Sequence, residues 1–107
     1  MGNYRSKLEI IADMLTVVSK GAKKTHIMYQ SNLSHRLLTK YLDEIVDSFL
    51  IRFERKRHIY VLTQKGIEYL QYYREYAKYH KEVDKQLEDV NSKKKELEKL
   101  CSKNSRT

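Results

Sequence analysis

The sequence predicts a mainly α fold with one small β-hairpin and a long C-terminal helix. Three observations carry that expectation. Apolar residues recur at spacings of three and four in the first half of the chain, broken by polar turns. Two short alternating runs then flank a cationic stretch, Arg55-Lys56-Arg57-His58. Beyond Leu62 a single helical pattern continues almost to the end, with no proline anywhere to interrupt it.

Leu8, Ile11, Leu15 and Val18, widened by Ile10 and Met14, form the stripe of an amphipathic helix of about 14 residues. It ends near Ser19-Lys20-Gly21, where glycine accepts the left-handed conformation of a helix terminus. Lys23 to Gln30 is long enough for about two helical turns. Ser31-Asn32-Leu33-Ser34 reads as a turn, and Ser34 or Asn32 is a suitable N-cap for the next helix. Residues 35–48 form that third helix, with Leu38, Leu42, Ile45 and Val46 inward and Leu37 and Tyr41 at the margins. Leu50 to Arg55 and His58 to Leu62 are the strands of the hairpin. Three helices and then a hairpin make the winged helix-turn-helix layout. About 62 residues bury only a small core, so this unit is expected to lean on the C-terminal helix.

That helix opens after Thr63, a good N-cap. A heptad register runs through Tyr69, Tyr73, Tyr76, His80, Val83, Leu87, Val90, Lys94, Leu97 and Cys101, alternating spacings of four and three. Thirty-three residues of helix are about 50 Å long, more than the preceding residues can cover. The seam therefore calls for a partner, and a second copy of the chain is the simplest one. Tyr69, Tyr73 and Tyr76 are expected to pack on the winged unit or across the dimer beside it. Tyr4, Tyr29 and Tyr60 stay open between packing and stacking on bases. His80 and Lys94 interrupt the apolar seam and limit its registers. The expected organisation is a winged domain over residues 1–66, a dimerisation helix over 67–101 and a frayed tail over 102–107.

Composition narrows the function. The chain holds 22 Lys and Arg against 14 Asp and Glu, a formal charge of +8. Residues 1–62 contain eleven basic and six acidic side chains, the remainder eleven and eight, so the first part is the more basic per residue. Such a balance points to an acidic partner, nucleic acid first among them. A single cysteine excludes an internal disulfide framework and any cysteine-rich zinc site. No apolar run approaches the length of a membrane span, and MGNYRSKLEI lacks the pattern of a signal peptide. The histidines fall in separate elements without metal-ligand spacing, and no phosphate-cradling glycine loop occurs. Neither an enzyme, a metal site nor a cofactor is expected.

The candidate contacts are cationic and polar. Ser34, His35, Arg36, Thr39 and Lys40 lie at the start and outer face of the third helix. Basic residues there oppose the helix macrodipole, a conflict that an anionic ligand would resolve. Arg36 and Lys40 suit phosphate or base edges, and Ser34 and Thr39 suit phosphate. The plainer reading is a cap and then a solvated face. Lys23, Lys24 and Thr25 open the second helix, where outward N–H groups favour anions; a charged loop is the alternative. Arg55, Lys56 and Arg57, with Arg52 on the same side, form a basic hairpin tip. They either reach the backbone or minor groove of a duplex or serve only to discourage edge-to-edge pairing.

Several segments carry a family resemblance. They are Ile11-Ala12-Asp13-Met14-Leu15, Gly21 through Tyr29, Asn32-Leu33-Ser34, Tyr41-Leu42 and Leu62-Thr63-Gln64-Lys65-Gly66. Together they resemble archaeal winged-helix DNA-binding proteins, specifically the small basic ten-kilodalton "a" type chromatin proteins of Sulfolobus. The resemblance covers about residues 7–70 in sequence and nearly the whole chain in architecture. It implies a homodimer joined by an antiparallel coiled coil, binding double-stranded DNA with low sequence preference in a cytoplasmic, nucleoid-associated role. Ser48-Phe49-Leu50-Ile51 departs from the pattern, since relatives commonly carry glycine before Leu-Ile. A bulky Phe49 is expected to alter the turn into the hairpin. The competing expectations are a sequence-specific transcription regulator and a protein-interaction scaffold without DNA affinity.

Overall fold

The computed structural model describes residues 5–102, so expectations for Tyr4 and for residues 103–107 of the tail lie outside the described residues. The elements run α1 (Lys7–Val18), α2 (Lys24–Gln30), α3 (His35–Asp47), β1 (Ile51–Glu54), β2 (Ile59–Leu62) and α4 (Gln64–Cys101). The architecture is the winged helix-turn-helix with a long C-terminal helix. By packing, the chain divides into one unit ending at Arg74 and a second starting at Glu75.

Local chemistry places the boundaries of the first unit. Ser6 caps α1 by accepting the Glu9 N–H at 3.2 Å, with the Glu9 carboxylate at the favourable end of the helix. Gly21, φ +79°, turns the chain after α1, and a Cβ there would meet Ile59 Cδ1 at 2.9 Å. Both helices of the helix-turn-helix end in the same way. After α2, Asn32 at φ +54° lets its own N–H reach Tyr29 O, and the Leu33 N–H reaches Met28 O. After α3, Phe49 at φ +64° sends its N–H to Val46 O, and the Leu50 N–H binds Ile45 O. These paired bonds are the Schellman arrangement, which glycine normally closes. Phe49 therefore does not open the turn; it occupies a glycine conformation with a bulky side chain. That explains why glycine suits this position.

β1 and β2 pair antiparallel, with Ile51 opposite Leu62 and Phe53 opposite Tyr60. Ala22 adds a single residue to this sheet by exchanging both backbone hydrogen bonds with Tyr60, at 3.1 and 2.8 Å. The core gathers Ile11, Met14, Leu15 and Val18 from α1, Ile27 from α2, Leu38, Leu42 and Ile45 from α3, Ile51 from β1 and Leu70 from α4. Each such side chain contributes about 1.5–3 kcal/mol. Tyr41, expected at the margin of the third helix, is buried as well, while Val46, expected inside, is only partly covered.

The Leu62-Thr63-Gln64-Lys65-Gly66 segment fastens α4 to the turn after α3. The Thr63 hydroxyl lies 2.6 Å from Phe49 O and 2.9 Å from Leu50 O, and accepts the Gly66 N–H at 3.1 Å. Lys65 donates to Ser48 O at 2.8 Å, satisfying a carbonyl at the α3 terminus. A Cβ on Gly66 would stand 2.2 Å from Leu50 O. Glycine is thus required for close approach. Tyr69 then donates to Leu8 O at 2.9 Å and stacks on Tyr73 with ring centres 6.4 Å apart.

The second unit is the remainder of α4. Its seam side chains Val83, Leu87, Val90 and Leu97 are 55–64% exposed. Within it, Tyr76 lies against His80 and His80 Nδ1 is 3.2 Å from the Asp84 carboxylate. Ser102 closes the helix through Lys99 O.

Candidate nucleic-acid interface

α3 presents the expected residues along its outer side. His35, Arg36 and Lys40 are exposed and Thr39 is partly covered. Ser34 acts as the N-cap, its hydroxyl oxygen accepting the Leu37 N–H at 3.2 Å. Thr39 donates its hydroxyl back to His35 O at 3.0 Å, so its proton is engaged within the helix. No acidic residue occupies the first turn of α3. Carboxylates appear further along, where Asp43 and Asp47 are exposed and Glu44 is bound by Lys7 of α1. This helix therefore carries its cations at one end and its anions at the other.

α2 begins beside Lys23, which takes extended backbone angles without making a side-chain cap. Lys23, Lys24 and Thr25 are all exposed. One turn on from Thr25, Tyr29 is 75% exposed, and His26 is also open to solvent. Tyr29 is an exposed aromatic that its sequence context left open between packing and base stacking; its spacing of four from Thr25 was the available signal.

The turn between α2 and α3 is held by a residue the sequence did not single out. Arg5 pairs with Asp13 at 2.6 Å and donates its other terminal nitrogen to Ser31 O at 2.8 Å and Asn32 O at 3.1 Å. One guanidinium thus ties α1 to the turn that orients α3. The contact spans 26 residues, which no local pattern reveals.

The hairpin tip divides the cations expected to act together. Arg57 folds back onto Glu54 in a two-pronged pair, Nε to Oε1 at 2.5 Å and Nη2 to Oε2 at 2.9 Å. Its guanidinium holds the Glu54 carboxyl below the usual carboxylate range, and Glu54 in turn raises the Arg57 pKa. Arg52, Arg55 and Lys56 are exposed, and no ion pair is formed by them among the described residues. His58 closes the tip at φ +55°, supplying the left-handed residue that a glycine-free turn lacked.

Three groups of exposed cations therefore lie on the first unit: at the start of α2, on the N-terminal half of α3 and on the wing. Among the described residues, no cluster of three or more His, Cys, Asp or Glu side chains is arranged to hold a metal. No helix there is long and apolar enough to cross a membrane. For the expected seam, Tyr69 and Tyr73 are partly covered within the first unit, whereas Tyr76, His80, Val83, Leu87, Val90, Lys94 and Leu97 are exposed along the second.

Comparison with known proteins agrees with this architecture. A curated relative, the uncharacterized protein MJ0287 of Methanocaldococcus jannaschii, is 33% identical over 63 residues. That match takes in 58% of this chain and 63% of the relative, so it spans less than two thirds of the relative's length. Among solved structures, Sso10a-2, a DNA-binding protein from Sulfolobus solfataricus, superposes with a TM-score of 0.63 at 25% identity, covering 94% of this chain and 100% of that one. The family pattern of the winged helix-turn-helix matches residues 4–81. Three helices, a two-stranded wing and a match over most of its length lead to one conclusion: the chain belongs to the winged helix-turn-helix family.

Proposed function

We propose that this protein is a non-enzymatic, dimeric, double-stranded DNA-binding protein with low sequence preference, acting in chromatin architecture or transcriptional regulation. The carrying observation is the placement of exposed cations on both the third helix and the wing, in a fold similar over nearly its whole length to a DNA-binding protein. Arg36 and Lys40, with Ser34, His35 and Thr39, enter or border the major groove. Lys23, Lys24 and Thr25 hold phosphate on one side of it, and Arg52, Arg55 and Lys56 on the other. Arg57 contributes less than its neighbours, since Glu54 already neutralises it. Nucleoid association is the expected consequence of binding duplex without strong sequence choice.

Dimerisation through α4, with Tyr69, Tyr73, Tyr76, His80, Val83, Leu87, Val90, Lys94 and Leu97 at the seam, belongs to the same proposal. The antiparallel orientation is the one that the family resemblance implies; the charges flanking the seam are of both signs along the helix and pair in either orientation.

The test replaces Arg36, Lys40, Arg55 and Lys56 together by alanine. The variant is expected to stay folded, to bind random duplex more weakly and to show a shallower dependence of affinity on salt. Unchanged affinity in the folded variant refutes the assignment.

A further inference from the structure

We infer that the wing carries an uncharged contact beside its cations: the aromatic face formed by Phe53, His58 and Tyr60 packs on the deoxyribose edge of the strand whose phosphates Arg55 and Lys56 hold. The inference rests on the duplex-binding reading and adds a contact that charge alone does not provide.

The register defines the face. Ile51 pairs with Leu62 and Phe53 with Tyr60, so these four side chains share one side of the two-stranded sheet. The inner pair belongs to the core: Ile51 is buried and Leu62 packs against it. In the outer pair Tyr60 is partly buried against that core, whereas Phe53 is 44% exposed. Its ring lies 5.0 Å from Tyr60 and meets His58 edge-on at 6.0 Å, so the three rings form one ridge. His58 reaches this position from its left-handed backbone conformation.

At the base of the ridge, Tyr60 exchanges backbone bonds with Ala22, and burial, with the Asp43 charge adding to it, pushes its phenol up. Phe53 and His58 flank residues 54–57, so the ridge borders the cationic tip. An apolar ridge on a short exposed hairpin is a liability unless something covers it. Arg55 and Lys56, next to it and without ion pairs among the described residues, select an anionic occupant over an apolar protein surface. In a duplex the base faces are stacked away. The accessible apolar surface next to phosphate is the sugar edge, and Phe53 offers a flat ring to it.

The experiment is anisotropy titration of a labelled random duplex with the full chain at several salt concentrations and pH 8. Wild type is compared with Phe53→Ala, Phe53→Leu, His58→Gly and the double variant Arg55→Ala/Lys56→Ala. Phe53→Ala is expected to lose about tenfold in affinity at every salt concentration with an unchanged salt slope, the loss that uncovering about half a phenylalanine side chain implies. Phe53→Leu should keep most of the affinity. The double variant should lower the slope by about 1.8. His58→Gly, which removes a ring while easing the backbone, should lose about twofold without a slope change, and it decides the matter if thermal melting shows Phe53→Ala unfolded. Wild-type affinity in folded Phe53→Ala, or in His58→Gly in that case, overturns the inference but leaves the duplex reading intact. Absence of duplex binding by wild type at low salt overturns both.

Discussion

Replacing Phe49 by glycine should stabilise the protein, although it removes an aromatic side chain. Phe49 sits at φ +64°, where an L-residue is disfavoured by about 1–2 kcal/mol. Its side chain is 72% exposed, so truncation uncovers little of the core. Glycine removes the backbone strain but adds about 0.5–1 kcal/mol of conformational entropy to the unfolded chain. The net gain is about 0.5–1 kcal/mol, or a rise in Tm of about 2–8 °C for a unit of this size. Thermal and urea unfolding of wild type, Phe49→Gly, Phe49→Asn and Phe49→Ala separate backbone strain from loss of the ring. Asparagine, already tolerated at the matching position Asn32 after α2, should recover part of the gain. Alanine keeps the strain and should not stabilise. A Tm for Phe49→Gly below wild type, or an equal rise for Phe49→Ala, refutes the reasoning.

Three further outcomes are expected. Gly66→Ala should cost about 3 kcal/mol, because its Cβ would stand 2.2 Å from the Leu50 carbonyl oxygen and 2.7 Å from Leu62 Cδ1. A loss under about 1 kcal/mol in urea unfolding contradicts that packing. The Tyr69 phenol is pushed up to about 12 by burial, with Tyr73 adding to the effect. The folded state then holds its proton to higher pH than the unfolded state, so this contribution is complete below about pH 10 and is lost as pH rises towards 12. Allowing for partial solvent access the loss is at most about 2 kcal/mol, and urea midpoints at pH 9 and 11 should fall further for wild type than for Tyr69→Phe. Leu87→Lys should turn a dimer into a monomer in sedimentation equilibrium while the winged unit stays folded; a wild-type monomer contradicts the seam proposal.

The helices and wing were legible because their signals are periodic and local. Spacings of three and four marked α1, α3 and α4, and alternation marked the strands. Ser34 and Thr63 were readable as caps because a hydroxyl before an apolar-periodic run has a defined role. Single-residue and long-range features were not readable. Ala22 joins the sheet as one residue, too short to generate a pattern. Phe49 took a glycine conformation because the two backbone bonds that close α3 require it, whatever side chain is present. Arg5 bridges segments far apart in sequence. Tyr41 looked marginal on an isolated helix but is covered once its neighbours pack.

At the candidate interface, the sequence identified where cations cluster but not which remained unpaired. Arg55, Lys56 and Arg57 form one basic run in sequence. Only the turn at His58 brings the Arg57 fork against Glu54 and separates it from the other two. The aromatic ridge was hidden for a related reason. Phe53 and Tyr60 become neighbours through strand register, which a list of residue types does not contain.

The most direct test of the central claim is anisotropy titration of a labelled random duplex across several salt concentrations, with unlabelled RNA and single-stranded DNA as competitors. Tight binding at low salt, a steep loss as salt rises and weak competition by RNA are the expected results. Failure to bind duplex at low salt would contradict the DNA-binding function while leaving the winged fold unchanged.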